Sequence, residues 1–435
     1  MTDRRRDFLL ELMQTAIAAV DAATVLPARL PTPPATGNVV ILAAGKAAAR
    51  MAAVAEHHYV DALGLPPARL AGIAVTRHGY GLPTRHIPVI EAGHPVPDAA
   101  GIAATQTALR LARSAGPDDL VLVLLSGGGS ANWVAPAPGV SLEEKQALTR
   151  ALLKSGATIG EINTVRRHLS AIKGGRLAAA ASPARLVTLA ISDVPGDDPV
   201  VIASGPTVPD PTTLADAAAV LARHRLTPSM TIAGALADPA NETPKPGDAV
   251  FRDSTYDIIA RPADALAAAT RHAIAAGYEV VNLGDALEGE ARDLARDHIA
   301  RARAAATAGR RVLFLSGGEA TVTVRGNGTG GPNQEYVLAA ALAANDDPAI
   351  AVLAVDTDGT DGGIGRPDDP AGGIALPGLL EKAAALGLNP DTALMENNSA
   401  GFLGALGALV ETGPTYTNVN DFRAVIVDSI GRDGQ

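Results

Sequence analysis

Two hydrophobic periods alternate along this chain. Segments 38–43, 71–75, 119–125 and 185–191 are continuous apolar runs of strand length, and Asp119-Leu-Val-Leu-Val-Leu-Leu125 is the clearest. Between them, Ala-rich stretches at 47–63, 98–115, 141–155 and 164–181 carry helical spacing. Buried strands separated by helices predict an α/β fold, with mostly parallel sheets covered on both faces. A helix is predicted over 3–25, where Phe8, Leu12, Ile17 and Val20 share roughly one face. The second half starts the pattern again, with helices at 261–276 and 287–308. Its strands are predicted at 278–283, 311–315, 320–324, 350–355 and 422–427. The polar, Pro-rich stretch 236–248 separates the halves and predicts two domains, 1–235 and 236–435. The opening helix is a candidate to pack on the C-terminal domain, since chain termini often meet.

Composition narrows the function classes. At 435 residues the chain is too long for one ordinary core. Its net charge of -10 and its 3% aromatic content speak against a nucleic-acid partner. No apolar run is long enough to cross a bilayer, and the basic Met1–Asp7 segment is not followed by a signal-type core. A cytoplasmic protein without a membrane partner is therefore expected. The absence of cysteine excludes disulfides, Cys-ligated metals and thiol nucleophiles. Six lysines stand against thirty arginines, so a Lys beside a Gly-rich loop draws notice.

Four glycine-rich loops are associated with strands. They are Ala44-Gly45-Lys46, Ser126-Gly-Gly-Gly-Ser130, Ser316-Gly-Gly-Glu319 and Gly326-Asn-Gly-Thr-Gly-Gly331. Such loops let successive backbone N–H groups converge on an anion, beyond the carboxyl ends of the strands. One of them alone reads more readily as a tight turn; four with polar ends point to anion binding. There is no GxxxxGK[ST], and the loop after the first strand is Gly45-Lys-Ala-Ala-Ala-Arg50 rather than GxGxxG. The protein-kinase motifs and a GxSxG elbow are also missing.

Acidic clusters follow two strands: Ser192-Asp193-Val-Pro-Gly-Asp197-Asp198 and Asp356-Thr-Asp358-Gly-Thr-Asp361-Gly. Hard oxygens there suit Mg²⁺ beside phosphates, although turn formation explains either cluster alone. The nine histidines show no paired spacing, which argues against zinc. Lys46 follows a strand at the start of a helix. Arg166 and Lys173 lie seven apart on the helix predicted at 164–181, which puts them on one face as a clamp for a small anion or as a solvated stripe. Arg325 precedes the fourth loop. Gly loops, cations and hard carboxylates together fit phosphoryl transfer, in which the protein mainly positions and neutralises charge.

The chain resembles the class II glycerate 2-kinases, the family with a C-terminal MOFRL domain whose members were formerly labelled hydroxypyruvate reductases. Matching stretches run in order over nearly the whole length. They include Ala43-Ala-Gly-Lys46, Glu91-Ala-Gly-His-Pro-Val-Pro-Asp98, Leu125-Ser-Gly-Gly-Gly-Ser130, Ile159-Gly-Glu-Ile-Asn163 with Val165-Arg166, and Lys173-Gly-Gly-Arg-Leu177. They continue through Ser192–Asp198, Ala203–Thr207, Ser316–Glu319, Gly328-x-Gly-Gly-x-Asn333-Gln-Glu335, Asp356–Gly362 and Gly413–Asp421. The resemblance implies a Rossmann-like glycerate kinase domain over 1–235, a MOFRL-type domain over 236–435, and an active site in the cleft between them. It implies ATP-dependent phosphorylation of the 2-hydroxyl of D-glycerate with Mg²⁺ or another divalent cation; a homodimer stays open. Lys46 and Arg325 are then the catalytic cations. Ser126, Gly128, Ser130, Glu161, Asn163, Arg166 and Lys173 face the acceptor, while Gly317, Gly318, Glu319, Gly330, Asn333 and Asp358 face the nucleotide. Asp193, Asp197 and Asp358 are the metal candidates, with the choice of loop open. The competing expectation is a nicotinamide-dependent hydroxypyruvate reductase, which the missing GxGxxG disfavours.

Overall fold

The structure is a computed structural model that describes residues 4–362 and 366–428. The chain divides into two compact units: Leu26–Ile259, and Met1–Val25 together with Ala260–Gln435. The opening helices α1 (Arg4–Ala19) and α2 (Ala22–Val25) thus belong with the C-terminal part. Leu9, Leu12, Met13 and Ala16, at helical spacing, form the buried face of α1. Phe8 stacks on Tyr278 at 4.9 Å, and Arg5 donates to the Pro348 carbonyl at 2.7 Å. Among the described residues no single helix is long and apolar enough to cross a membrane.

The unit 26–259 is built on a six-stranded sheet. Its strands are β1 (Val39–Ala44), β2 (Leu70–Arg77), β3 (Val89–Ala92), β4 (Leu120–Leu125), β5 (Arg185–Ile191) and β6 (Ser254–Ala260), in the order β3-β2-β1-β4-β5-β6. The pairs β1–β2, β2–β3, β1–β4 and β4–β5 are parallel. Every residue of β1 and β4 is buried, because helices cover both faces, and this is why these strands lack alternation. The helices of the unit are α3 (Ala48–Glu56), α4 (Ala99–Ser114), α5 (Gly129–Asn132), α6 (Leu142–Lys154), α7 (Ile159–His168), α8 (Arg176–Ala181), α9 (Leu214–Arg223) and α10 (Met230–Ala237).

Two expectations change here. The boundary expected at 235/236 lies at 259/260, because β6 adds to the edge of the first sheet beside β5 and carries 236–259 with it. The single helix expected over 164–181 is two helices. α7 stops at His168, and Gly174 and Gly175 take φ of +58° and +80°, which a right-handed helix cannot contain. Lys173 therefore sits in the intervening loop, and its seven-residue spacing from Arg166 does not place it on a shared helix face.

The other unit continues with α11 (Pro262–Ala275), α12 (Ala291–Thr307), α13 (Pro332–Ala344), α14 (Leu379–Ala385), α15 (Pro390–Met395) and α16 (Ser399–Ala405). Its strands are β7 (Glu279–Asn282), β8 (Leu287–Glu290), β9 (Val312–Ser316), β10 (Gly318–Thr321), β11 (Ile350–Asp356), β12 (Gly372–Ala375), β13 (Leu409–Val410) and β14 (Asp421–Val427). Six of them form a sheet in the order β13-β12-β11-β14-β9-β7, while β8 and β10 pair separately. The α/β class holds in both units, but this sheet is not mostly parallel. Only β7–β9 is parallel in it; β14 inserts antiparallel to both β9 and β11, and β12 returns antiparallel to β11. The core of the unit packs α12 and α13 against β11 and β14.

Leu12 is fully buried in α1. Leu12→Ala is expected to cost about 2–5 kcal/mol through lost burial and the cavity left behind. Urea denaturation checks the magnitude, and faster amide exchange in α11, on which α1 packs, checks the location.

Candidate functional site

Strand order reverses between β1 and β4. Beyond β1 the chain proceeds outward through β2 to β3, and beyond β4 it proceeds the other way to β5. Loops leaving two such neighbouring strands diverge and open a crevice at their carboxyl ends. Gly45–Lys46 leaves β1 there, and Ser126–Gly128 leaves β4.

The two loops are fastened together. Lys46 N donates to the Gly127 carbonyl at 2.8 Å, and the buried Ser126 Oγ accepts from Ala47 N at 2.9 Å. Gly45 is required by this closeness: a Cβ there would stand 2.3 Å from Ser126 Oγ. Gly128, with φ +84°, is a second case. A Cβ on it would lie 3.1 Å from the His94 ring and 3.3 Å from Lys46 Cγ. Lys46 and His94 therefore flank the backbone at Gly128.

One residue pair further on, Ser130 collects the cations. Its Oγ accepts from Arg166 Nη2 at 3.0 Å and Lys173 Nζ at 3.1 Å, and it lies 2.7 Å from Ser204 Oγ. With both lone pairs taken by cations, the Ser130 hydroxyl must donate its own proton to Ser204. Lys173 Nζ also donates to the carbonyls of Ser130 at 2.7 Å and Trp133 at 3.2 Å. Asn163 Oδ1 accepts from Arg166 Nη1 at 3.3 Å. Lys145, from α6, donates to the Leu169 carbonyl just past α7 at 2.7 Å. Burial, reinforced by the Arg166 charge, pushes Lys145 down to about 7. Burial, then repulsion from Arg166 and Lys145, holds Lys173 well below an ordinary lysine.

Of the sequence candidates in this unit, Lys46, Ser126, Gly128, Ser130, Asn163, Arg166 and Lys173 thus fall on one connected set of contacts. Ser126 acts within it as a fastener of loops. Glu161 does not join the set. Its carboxylate closes a capping box with Thr158 and pairs with Arg223 and His224, and these contacts hold it down at about 2. Sequence reasoning missed Ser204 and His94 as members. The signal for Ser204 is backbone strain: Ala203 and Ser204 both have positive φ (51° and 62°) without being glycine. Asp193 and Asp197 lie in the loop after β5, the strand beside β4.

The second unit gathers its own polar cluster. Asp361 caps α13, with Oδ1 accepting from Asn333 N at 3.0 Å and Oδ2 from Gln334 N at 2.8 Å. Asn333 Nδ2 reaches Asp421 Oδ1 at 2.6 Å, and Asp421 also accepts from Ala320 N and pairs with the buried Arg423. Arg423 in turn donates to the Gly317 carbonyl at 2.9 Å. The stretch expected as a Ser316–Glu319 loop is the end of β9, Gly317 and the start of β10, and it is tied to Asn333 through Asp421. Arg325 is exposed, but its loop is anchored: the Arg325 and Gly326 amides donate to Asn397 Oδ1 at 2.7 and 3.0 Å. Asn397 leans on Glu335, which pairs with Arg292 at 2.6 Å. Arg325, Arg292 and Arg296 line one cavity of about 230 Å³ with Glu290 and Asp293. Gly330 lies in the neighbouring loop, next to Ser399. Asp358 is buried, and its Oδ1 accepts from the Thr360 amide and hydroxyl at 2.7 and 3.0 Å, a turn-forming role. Among the described residues no three His, Asp or Glu side chains group to hold a metal ion.

With this geometry established, likeness to known proteins is informative. Residues 8–236 match a family model described as a domain of unknown function, DUF4147, and residues 312–421 match the MOFRL family. A protein of Pyrococcus horikoshii named glycerate 2-kinase is 40% identical over 404 residues, covering 90% of this chain and 88% of that protein. The chain belongs to the MOFRL-domain glycerate 2-kinase family. A Thermotoga maritima protein named D-glycerate 2-kinase is 41% identical over 390 residues, covering 88% of this chain and 89% of that protein. The crystal structure of glycerate kinase from the same organism superimposes with a TM-score of 0.85 at 38% identity, over 98% of this chain and 99% of that one. An Agrobacterium vitis member of the family, provisionally named a hydroxypyruvate reductase, is 45% identical over 97% of this chain and 94% of its own length. That label marks an older name within the family rather than a separate chemistry.

Asp361 generates a pH prediction. Burial, together with the nearby Asp421 charge, pushes its carboxyl from 3.8 up to about 7, against the pull of the α13 amides. Between about pH 4 and pH 7 the folded chain holds a proton there that the unfolded chain has lost, so this group's contribution falls as pH rises through that window. The expected outcome is a melting-temperature advantage of wild type over Asp361→Asn that is larger at pH 5 than at pH 8. Thermal denaturation of both proteins at the two pH values checks it.

Proposed function

We infer that the protein transfers the γ-phosphoryl group of ATP to the 2-hydroxyl of D-glycerate, forming 2-phosphoglycerate and ADP and releasing the hydroxyl proton. The observation that carries this reading is the set of cations gathered on Ser130 beside the fastened Gly45 and Gly128 loops. Arg166 offers a forked guanidinium to the glycerate carboxylate, with Asn163 holding its orientation and Lys173 fixing Ser130 from beneath. Lys46 is assigned to the transferring phosphoryl group, where its ammonium offsets charge spreading over the equatorial oxygens. Arg325 is assigned the same task, on a loop held by Asn397. Gly317, Gly318, Glu319, Gly330, Asn333 and Asp358 are assigned to the nucleotide.

The donor set suits Mg²⁺. That ion is held beside phosphates by one or two carboxylates with part of its hydration retained, so no three-ligand cage is required. Asp193 and Asp197, half-buried hard donors in the loop after β5, are the residues we assign to it. Asp358 is the weaker candidate, since one of its oxygens already serves Thr360. Bound there, the ion would neutralise phosphate charge.

Purified protein given D-glycerate, ATP and Mg²⁺ tests the reading directly, beside hydroxypyruvate with NADH or NADPH. ADP formation with glycerate is expected; nicotinamide oxidation without it would reverse the assignment. Lys46→Ala should lower kcat by about 10³-fold, about 4 kcal/mol of transition-state stabilisation. A raised KM with intact kcat would instead make Lys46 a binding group. Mg²⁺ titration of Asp193→Asn and Asp197→Asn should show at least one variant needing more metal for half-maximal rate.

A further inference from the structure

Beyond Ser130 the unit 26–259 contains a cavity of about 340 Å³. Its floor is cationic: Arg166, Lys145 and Lys173 line it, with Arg150 at one side. No Asp or Glu lines it. One face of α6 turns toward it, with Leu142, Lys145, Gln146, Thr149, Arg150 and Leu153 recurring at helical spacing. Arg166 and Arg150 carry charge that no lining carboxylate opposes, and the two lysines are bonded only to neutral backbone and hydroxyl oxygens, so a bound anion would favour their charged forms. Buried cations in that state favour an anionic ligand.

The walls do not match a three-carbon acid. Val96 and Leu153, both on the cavity, are 64% and 61% exposed, and Leu142 and Val134 add further apolar surface. Glycerate carries hydroxyls at both carbons beside its carboxylate and has no apolar surface to cover these side chains. The cavity falls in the size class of sites that enclose larger ligands. An anion with an apolar tail satisfies the floor and the walls together.

We propose that this cavity receives the aliphatic side chain of longer 2-hydroxy acids, with the acid's carboxylate on Arg166 and its tail against Val96, Leu142 and Leu153. The acceptor class is then 2-hydroxycarboxylates with a short aliphatic tail as well as glycerate. This rests on the reading of Ser130 and Arg166 as the acceptor site.

D-2-hydroxyhexanoate is the probe, used with the full-length protein. Isothermal titration calorimetry reads occupancy directly, whether or not turnover follows. A saturable heat of binding is expected, with displacement of the probe by D-glycerate and with ADP release when the probe replaces D-glycerate as acceptor. Leu153→Asp and, separately, Val96→Asp should weaken the probe about tenfold while leaving the glycerate KM within about twofold. Both positions are exposed, so neither change threatens folding. The proposal is overturned if the probe is displaced by ATP but not by glycerate, or does not bind. It is also overturned if the variants weaken glycerate as much as the probe. Absence of ADP release with glycerate overturns the kinase reading alone; the calorimetric titration of wild type and both variants still decides whether the cavity binds an aliphatic acid.

Discussion

The parallel pairing of β1 with β4 at the point where strand order reverses is the constraint on which the 26–259 site depends. It brings two loop-bearing strand ends side by side, Ala44 opposite Leu125, with nothing but their own backbones between them. The crevice would be ill-defined if each loop moved alone. The Ser126 hydroxyl prevents this by accepting from Ala47 N, and the Lys46 amide closes the contact from the other side. Each bond of this kind contributes only about 1 kcal/mol net. Their value lies in geometry, since they set Lys46, Gly128 and Ser130 in one line on a rigid sheet edge. The same economy recurs in the other unit, where Asp361 and Asp421 tie three chain segments around the start of α13.

Much of the architecture was legible because central strands of a covered sheet are apolar without interruption. The 38–43, 119–125 and 185–191 runs could hardly be anything else. What escaped notice was the structure whose pattern carries no contrast. α13 is buried on nearly all sides, so its apolar residues show no helical face. The short strands β3, β12 and β13, two of them at sheet edges, are only two to four residues long, below the length at which alternation becomes visible. β6 was hidden differently: it is half-exposed at a sheet edge, and the Pro-rich stretch before it looked like a linker although it still belongs to the first unit. Strand sense in the second sheet was not readable either, since an apolar run does not reveal which way its neighbour points.

Candidate residues divided along a similar line. Those in glycine-rich loops were placed by strand-end logic, and Lys46, Gly128 and Ser130 do sit together. Arg166 and Lys173 also meet, but through Ser130 rather than through a helix face. The periodicity argument thus linked the right pair by a contact that does not exist. Glu161 shows the reverse error. In a Thr-x-x-Glu sequence at a helix start, the local demand of the four unpaired N–H groups outranks a distant ligand, and the carboxylate is spent on the cap. Ser204 could not be found by residue type at all, because its role comes from a strained backbone that presses it against Ser130.

The uneven use of lysine has a geometric explanation. In a chain with thirty arginines, a lysine in the interior marks a place where a guanidinium does not fit. Lys173 meets the Ser130 carbonyl, the Ser130 hydroxyl and the Trp133 carbonyl, three acceptors arrayed around one nitrogen. A tetrahedral ammonium can face all three, while a planar fork presents its donors in one plane and would need a wider opening. Lys145 meets the Leu169 carbonyl just beyond α7 in the same way. Arg166 holds the complementary position. It faces the cavity, where a planar pair of donors suits a carboxylate, and one edge of its guanidinium is already fixed by Asn163 and Ser130. The division of labour follows from shape: ammoniums close the floor against backbone oxygens, and a guanidinium is left to face the ligand. An Arg at 173 would crowd the floor, and a Lys at 166 would lose the fork. The choice of cation at each position is therefore part of what defines the site, although composition alone would pass it over as coding bias.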